Sequence, residues 1–523
     1  MTGKKFQTHI HVVSLLLLIL FAFGLRSIGL NDNPSGFFRD EASKGYTSYC
    51  LMKTGQDMSA TPWPLFVKEH ERTTSSLYQY ITIPFIYCFG LTEAGVRLPA
   101  CLAGTLSVLI GYWIARRWWG SRAGLWAAAF VCLSPWSLLL SRWANQSILL
   151  TLWVPLAVYF LFKKEKPTVL DAVLSALCLL LALYTYATAR LTAPVLVVVF
   201  LLVLLLFAKD KRALLVPTLC FVFVFFIGAI PMAMHLISQP EASGSRLSDI
   251  SIFDGQPLLS LMLEFILNYA SHLSPGFLFI NGDANLRHNT LAFGQVHWYI
   301  APLLVAGFVQ AIWRRNRIDV LLLVWFFCFP LAAACTRESI PHGLRSVYAV
   351  PVIHLMAVNG LLALKGWREY FSLHISPKLV RTLVIIWGVV FVLFPAIYLY
   401  DLFVRYPVYS APDWEYGYRD AINWWEENWL PQKRVVVTGI AQNPDIFFLF
   451  YSGYIPARYF PDGNIDRVEF LPLGQSVNST YTFQGEATMY LTRPFELPSS
   501  QPEKVILLPN GEPVWKWVRG GEQ

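Results

Sequence analysis

Charge is what this sequence is short of. Only 14% of its 523 residues are Asp, Glu, Lys or Arg, against about a quarter in a soluble globular chain. The deficit falls in long apolar runs, so lipid is the solvent for much of the protein. A glycine-rich phosphate loop and a dinucleotide-binding fingerprint are also missing, which removes the usual cradles for a nucleotide-sugar donor. The cysteines show no CxxC or Cys/His ligand spacing, and none follows Cys335, so the long C-terminal tail folds without disulfides. Internal repeats, heptads and low-complexity segments are absent, which weighs against transporters built from repeated halves. The net charge of +8 would suit a polyanion. Lys and Arg cluster, however, in short loops between apolar runs, where they set membrane orientation, and nucleic acid is not an expected partner.

What is present is a series of apolar segments, each near the roughly 20 residues a membrane helix needs. They lie near 10–30, 95–115, 123–140, 144–162, 169–186, 191–208, 213–235, 296–313, 318–335, 345–364 and 380–402. The first follows Lys4 and Lys5 but has no small-x-small cleavage site, so it reads as a retained span and not a signal peptide. Counted from a cytoplasmic N-terminus, every inside loop is basic: Arg116/Arg117/Arg122, Lys163/Lys164/Lys166, Lys209/Lys211/Arg212, Arg314/Arg315/Arg317 and Lys365/Arg368/Lys378/Arg381. That agreement with the positive-inside rule fixes the count. A further apolar stretch, Leu77 to Leu91, is short and interrupted by Pro84, and reads as an interfacial helix.

The expected fold is therefore a polytopic α-helical membrane protein of about eleven transmembrane helices. Residues 1–405 form the membrane domain, with outer loops at 31–93 and 236–297, and residues 406–523 form a small C-terminal extracytoplasmic α/β domain. Arg434 to Thr438 and Val505 to Leu508 are its strand candidates, separated by Pro, Gly and Asn turn signals. The expected location is a plasma (inner) membrane, crossed many times, with the N-terminus cytoplasmic.

The strongest chemical signal follows the first span: Gly36-Phe-Phe-Arg-Asp-Glu-Ala42, Tyr46, and Leu51-Met-Lys-Thr-Gly55-Gln-Asp57. It places Asp40 and Glu41 just outside the membrane. One reading is a solvated acidic pair at an interface. The other is a general base, because a carboxylate held against apolar surroundings gains proton affinity and can take a proton from an incoming hydroxyl.

Here the sequence resembles the GT-C superfamily of membrane glycosyltransferases, in the branch of protein O-mannosyltransferases and lipid A aminoarabinose transferases. Val96-Arg-Leu-Pro99 with Ala115-Arg-Arg-Trp-Trp-Gly120, Leu133-Ser-Pro-Trp136 with Ser141-Arg142, and Ala182-Leu-Tyr-Thr-Tyr186 with Ala189-Arg190 and Pro194 match in order. The resemblance covers roughly residues 10 to 400 and leaves the tail unmatched. It implies a GT-C-like fold, a polyprenyl-phosphate sugar donor, an acceptor that is lipid, glycan or protein, and inversion at the sugar carbon. Asp40 matches the catalytic acidic position, with Glu41 beside it. Some relatives carry a second acidic residue after the Ser-Arg pair, where this chain has Asn145 and Gln146.

Independently of family, Arg142, Arg190, Arg246, Arg287, His288, Arg337, His342 and Arg345 fall in the predicted outer loops, where the positive-inside rule disfavours cations. A guanidinium presents a planar fork to phosphate oxygens and stabilises charge developing on a lipid-phosphate leaving group. Their alternative is an interfacial Arg or an ion pair, for which Asp283 and Glu338 are at hand. Glu69-His70-Glu71 cannot converge on one ion from adjacent positions, so no metal is indicated, although a divalent ion is compatible with the chemistry. Asn145-Gln-Ser147 and Asn478-Ser-Thr480 are glycosylation sequons, and the tail's tryptophans suit either sugar stacking or interfacial anchoring.

Two competing functions follow from the same features. A lipid-linked-oligosaccharide transporter or flippase would carry ionisable groups near the midplane, whereas these spans hold almost none. An O-antigen-type polymerase or ligase would have its large outer loop late in the chain and no Asp-Glu motif after the first span.

Overall fold

All eleven apolar segments are helical. The computed structural model describes residues 2–69, 72–238, 251–370, 376–428, 434–454, 456, 465, 467–477 and 488–520. The helices on these segments are α1 (Thr2–Ser27), α4 (Glu93–Trp119), α5 (Ser121–Cys132) continued by α6 (Pro135–Leu140), α7 (Leu150–Phe162), α8 (Val169–Leu183), α9 (Ala189–Leu206), α10 (Arg212–Ser238), α12 (Ala301–Arg314), α13 (Arg317–Cys328), α14 (Ala349–Tyr370) and α15 (Pro377–Tyr400). Seven stretches are long and apolar enough to cross a bilayer: His9–Ser27, Glu93–Trp119, Ala189–Leu206, Arg212–Ser238, Arg317–Ala334, Ala349–Trp367 and Lys378–Tyr409. The other expected spans are shorter or broken. Leu133 and Ser134 interrupt the third before Pro135, which restarts the helix at its first position. The protein is a multi-pass α-helical membrane protein with a C-terminal sheet domain.

Between these spans lie α2 (Arg39–Thr54), α3 (Leu77–Phe89) and α11 (Leu258–Leu273). At 13 residues, α3 fits the expected interfacial helix. The 16-residue α11 has no counterpart in the apolar runs, because Glu264, Asn268 and His272 interrupt its hydrophobic face. Leu258, Leu259, Met262, Leu263, Ile266 and Leu267 are all more than half exposed, the face an interfacial helix turns to lipid.

The chain divides into two compact units: residues 1–28, 71–75 and 100–401, and residues 29–70, 76–99 and 402–523. In the first, apolar helices pack at small residues. Gly307 of α12 and Gly360 of α14 face each other so closely that a Cβ at Gly360 would overlap the Leu303 carbonyl oxygen, and one at Gly307 the Met356 carbonyl oxygen. Close backbone approach of this kind is how helices gain dispersion contact in lipid. Arg26 near the C-terminal end of α1 is fully buried and donates to the Ala22 carbonyl (3.1 Å) and Ser137 Oγ (3.0 Å).

In the second unit, a five-stranded mixed sheet is formed by β1 (Arg434–Val437), β2 (Val468–Phe470), β3 (Thr488–Thr492), β4 (Pro502–Leu507) and β5 (Pro513–Arg519), in the order β2-β1-β3-β5-β4. β1 runs parallel to β2 and β3, and β5 runs antiparallel to β3 and β4. Both predicted strands are present, at β1 and β4. The aromatic run Ile446 to Tyr451 is helical, as α17 (Asp445–Tyr451), and α16 (Tyr418–Asn428) carries Trp424 and Trp425. Tyr418 stacks on Phe447 at 4.0 Å, and Val436, Leu471, Val477, Tyr490, Leu497 and Val518 form a buried cluster.

Candidate functional site

The candidate residues fall into two groups, one in each unit. The acidic pair opens α2. Phe38 holds an extended conformation before the first helical turn, and its N–H donates to Glu41 Oε2 at 3.2 Å. That closure sets the helix start, and two carboxylates in the first turn complement its positive end. The pair then divides. Glu41 is fully buried and takes a two-pronged ion pair from Arg97, with Nε–Oε1 and Nη2–Oε2 both at 2.9 Å. Asp40 is half-buried, and its carboxylate makes no hydrogen bond or ion pair with a described residue; only its backbone carbonyl is engaged, by Lys44 Nζ at 3.1 Å.

Around them the scaffold is fixed by local chemistry. Arg39 pairs with Glu415 at 3.1 Å. Gly55 ends α2 in a left-handed conformation (φ 71°), and Asp57 Oδ1 accepts from the Ser59 and Thr61 N–H groups, both at 2.9 Å. The Thr-Gly-x-Asp stretch is thus a helix stop and a turn. Tyr451 donates to Glu93 Oε1 at 2.5 Å, and burial beside that carboxylate raises its phenol well above the ordinary range. Arg419 joins Glu93 (3.7 Å) to Asp32 (2.9 Å).

The first unit holds the predicted cations, and they part company. Arg142 is buried with its guanidinium on the Leu25 and Ile28 carbonyls, both at 2.7 Å, where it satisfies the C-terminal end of α1. Arg190, half-buried in the first turn of α9, makes no side-chain hydrogen bond or ion pair with a described residue. Arg337 bridges Asp254 (2.5 Å) and Glu264 (2.7 Å) and holds both carboxyls below their ordinary values. Arg345 is buried on Glu338 Oε2 (2.6 Å) and Thr336 Oγ1 (2.7 Å), the ion pair that stood as its alternative. Arg287 is half-buried, its N–H on Asn285 Oδ1 at 3.0 Å. Arg246, His70, Glu71 and the Asn478 sequon lie outside the described residues.

His288 and His342 converge. Asp283 Oδ2 lies 2.8 Å from His288 Nδ1 and 3.8 Å from His342 Nδ1, and it accepts the Gly343 N–H at 2.6 Å. All three side chains are buried. His272, missed in the sequence, stands behind them: its Nε2 accepts the His342 N–H at 3.0 Å while Nδ1 donates to the Asn268 carbonyl at 2.7 Å. Burial pulls its pKa down to about 4, so it stays neutral and keeps that lone pair. Gln295 was missed too, for no ligand spacing links residues 272, 283, 288, 295 and 342. Asn145, of the first sequon, caps the short helix Gln146–Leu149 through Oδ1 and is only 2% exposed.

Comparison with known proteins extends the picture. The family model described as dolichyl-phosphate-mannose-protein mannosyltransferase matches residues 75–237. The structure of ArnT from Cupriavidus metallidurans in the apo state is similar over 100% of both chains, at 15% identity and a TM-score of 0.54. ArnT bound to undecaprenyl phosphate is similar over 99% of both, at 15% identity and 0.52. The archaeal oligosaccharyltransferase AglB from Archaeoglobus fulgidus, in complex with an inhibitory peptide and a dolichol-phosphate, is similar over 86% of this chain and 64% of that one, at 13% identity and 0.52. No curated protein matches the chain in sequence.

Proposed function

We propose that this chain, GT-C in fold and similar to the protein O-mannosyltransferase and ArnT branch, is a glycosyltransferase. It moves a sugar from a polyprenyl-phosphate donor to a lipid, glycan or protein acceptor on the extracytoplasmic face. The observation that carries this reading is the contrast within the acidic pair. A general base needs an open lone pair, and Asp40 has one while Glu41 is committed to Arg97. Asp40 therefore accepts the acceptor's proton, and Glu41 positions the turn that presents it. The acceptor oxygen or nitrogen attacks the sugar carbon, and the bond to the lipid phosphate breaks on the opposite side, which inverts that carbon.

Negative charge then develops on the departing phosphate and needs a preorganised cation. Among the predicted cations, Arg190 makes no side-chain hydrogen bond or ion pair with a described residue, whereas Arg142, Arg337 and Arg345 are held by protein groups. That ArnT has been solved with undecaprenyl phosphate and AglB with a dolichol-phosphate supports a donor of this class. The donor sugar, hexose or pentose, is for the assay below to name.

The test uses purified wild-type, Asp40→Asn and Glu41→Gln proteins with a panel of radiolabelled polyprenyl-phosphate sugars, scoring binding and transfer separately. Asp40→Asn should bind one donor as wild type does and lose roughly 100-fold or more in transfer, the usual worth of a general base. Transfer by Asp40→Asn at the wild-type rate removes the base assignment, and failure of wild type to bind any donor removes the transferase reading.

A further inference from the structure

We propose that a cavity in the first unit, between the C-terminal ends of α4, α12 and α14, binds the phosphate of an anionic glycerophospholipid from the leaflet beside the basic loops. The cavity measures about 490 Å³, within the roughly 300–1,000 Å³ of sites that hold small molecules. Its walls combine Trp119, Trp313 and Trp367 with Gln310, Arg314 and Asn359. The three helices stop here together. Trp119 is the last residue of α4 and Arg314 the last of α12, while Trp367 lies in the last turn of α14.

A tryptophan at a membrane boundary is by itself an anchor, and that accounts for Trp313, which is 50% exposed. It does not account for Trp367. Its Nε1 donates to Gln310 Oε1 at 2.8 Å, and its ring stands 6.5 Å from that of Trp313. Protein groups hold this aromatic wall in place.

Arg314 supplies the charge. Asp319 occupies one edge of its guanidinium, through Nε at 2.6 Å and Nη2 at 2.8 Å, and Asn359 Oδ1 accepts from Nη2 at 3.3 Å. The fully buried Asp319 is itself bonded by Asn359 Nδ2 at 3.1 Å. The guanidinium is therefore locked, yet its Nη1 has no hydrogen-bond partner among the described residues and the side chain is 41% exposed. A fixed guanidinium with an open N–H pair, lining a cavity, suits a phosphate oxygen.

The surroundings select a lipid. None of the described lining residues is acidic. Arg315 and Lys365, each next in the chain to a lining residue, are exposed, and they supply positive charge that Asp319 does not offset. Basic pockets between membrane helices take anionic head groups in this way. Val309, Ile312 and Leu362 leave exposed apolar surface on the same two helices, on which acyl chains lie and a free phosphate gains nothing.

Lipid retention is measured without donor or turnover, so the result is independent of the transferase reading. Full-length protein, delipidated in detergent, is titrated with dioleoyl phosphatidylglycerol, dioleoyl phosphatidylcholine or inorganic phosphate, and bound lipid is counted by native mass spectrometry. Wild type should keep one phosphatidylglycerol under activation that strips phosphatidylcholine, and should melt at a higher temperature with the anionic lipid than without it. Gly366 provides the blocking variant. It lines the cavity, and a Cβ on it would meet nothing within 4 Å, so Gly366→Leu fills the space without straining the helix. It should fold as wild type does and bind phosphatidylglycerol about tenfold or more weakly. Arg314→Lys, which keeps a charge beside Asp319 but loses the planar fork, should weaken binding too. Phosphatidylglycerol binding equal to wild type in either variant overturns the proposal. Equal retention of the two lipids by wild type overturns it by reducing the contact to an ordinary lipid shell. Displacement of phosphatidylglycerol by inorganic phosphate overturns it by assigning the cavity to the free ion.

Discussion

Asp40 and Glu41 are adjacent and chemically near-identical, yet their environments separate them. Arg97 directs all five of its N–H donors inward: two to Glu41, the rest to the Leu30, Pro34 and Gly36 carbonyls. Both members of the pair are fully buried, so the interaction is hard to replace by halves. Glu41→Gln leaves the buried guanidinium with only Glu93, 3.8 Å away, as a charged partner, at a cost of up to about 3–5 kcal/mol. Unfolding of the purified protein in detergent should show that loss in Glu41→Gln, and Asp40→Asn, which breaks no side-chain contact, should unfold with wild type. A Glu41→Gln protein as stable as wild type would sink the positioning role. In the sequence the two carboxylates are one motif. Their difference comes from Arg97, 56 positions on, and from carbonyls of a loop whose path no local pattern records.

Elements were more legible than residues. Apolar runs mark a helix in each of the eleven segments, seven of them long and apolar enough to cross a bilayer, because a span in lipid must satisfy its own backbone and the bilayer fixes its length. The same rule passes over α11, whose Glu264, Asn268 and His272 break the run while its lipid-facing residues recur at helical spacing. Helix pairing was not legible at all, since it depends on which small residues meet. The crossing of α12 and α14 at Gly307 and Gly360 is the clearest case. Gly360→Ala would drive a methyl into the Leu303 carbonyl and the Gly307 N–H, and backbone cannot yield as a flexible side chain does. The overlap should cost about 1–3 kcal/mol or more, read as a lower melting temperature in detergent. Gly366→Ala, on the same helix with nothing within 4 Å, is the matched control. If both substitutions melt alike, the crossing does not depend on backbone contact.

At the scale of the whole molecule, the remaining question is which face each loop occupies, and length does not settle it. The interfacial α3 has 13 residues and the expected span α8 only 15, lengths of roughly 20 and 22 Å at 1.5 Å per residue. Charge separates them. With α3 on the surface and α8 across the bilayer, Arg116/Arg117, Lys163/Lys164, Lys209/Lys211, Arg314/Arg315 and Lys365 all share the side of the N-terminus, as the positive-inside rule demands. Letting α3 span would move every one of these loops outside, and withdrawing α8 would move those after it. If all eleven segments span, the C-terminal sheet domain follows an odd number of crossings and is expected opposite the N-terminus. Alkaline phosphatase, which folds only outside the cytoplasm, reports this directly. Fused after Lys211 it should be inactive, and fused after Gln523 it should be active. Activity at Lys211, or none at Gln523 in a fusion that is stably made, would mean that the count of spans is wrong by one. The catalytic face assigned here would then have to be reversed.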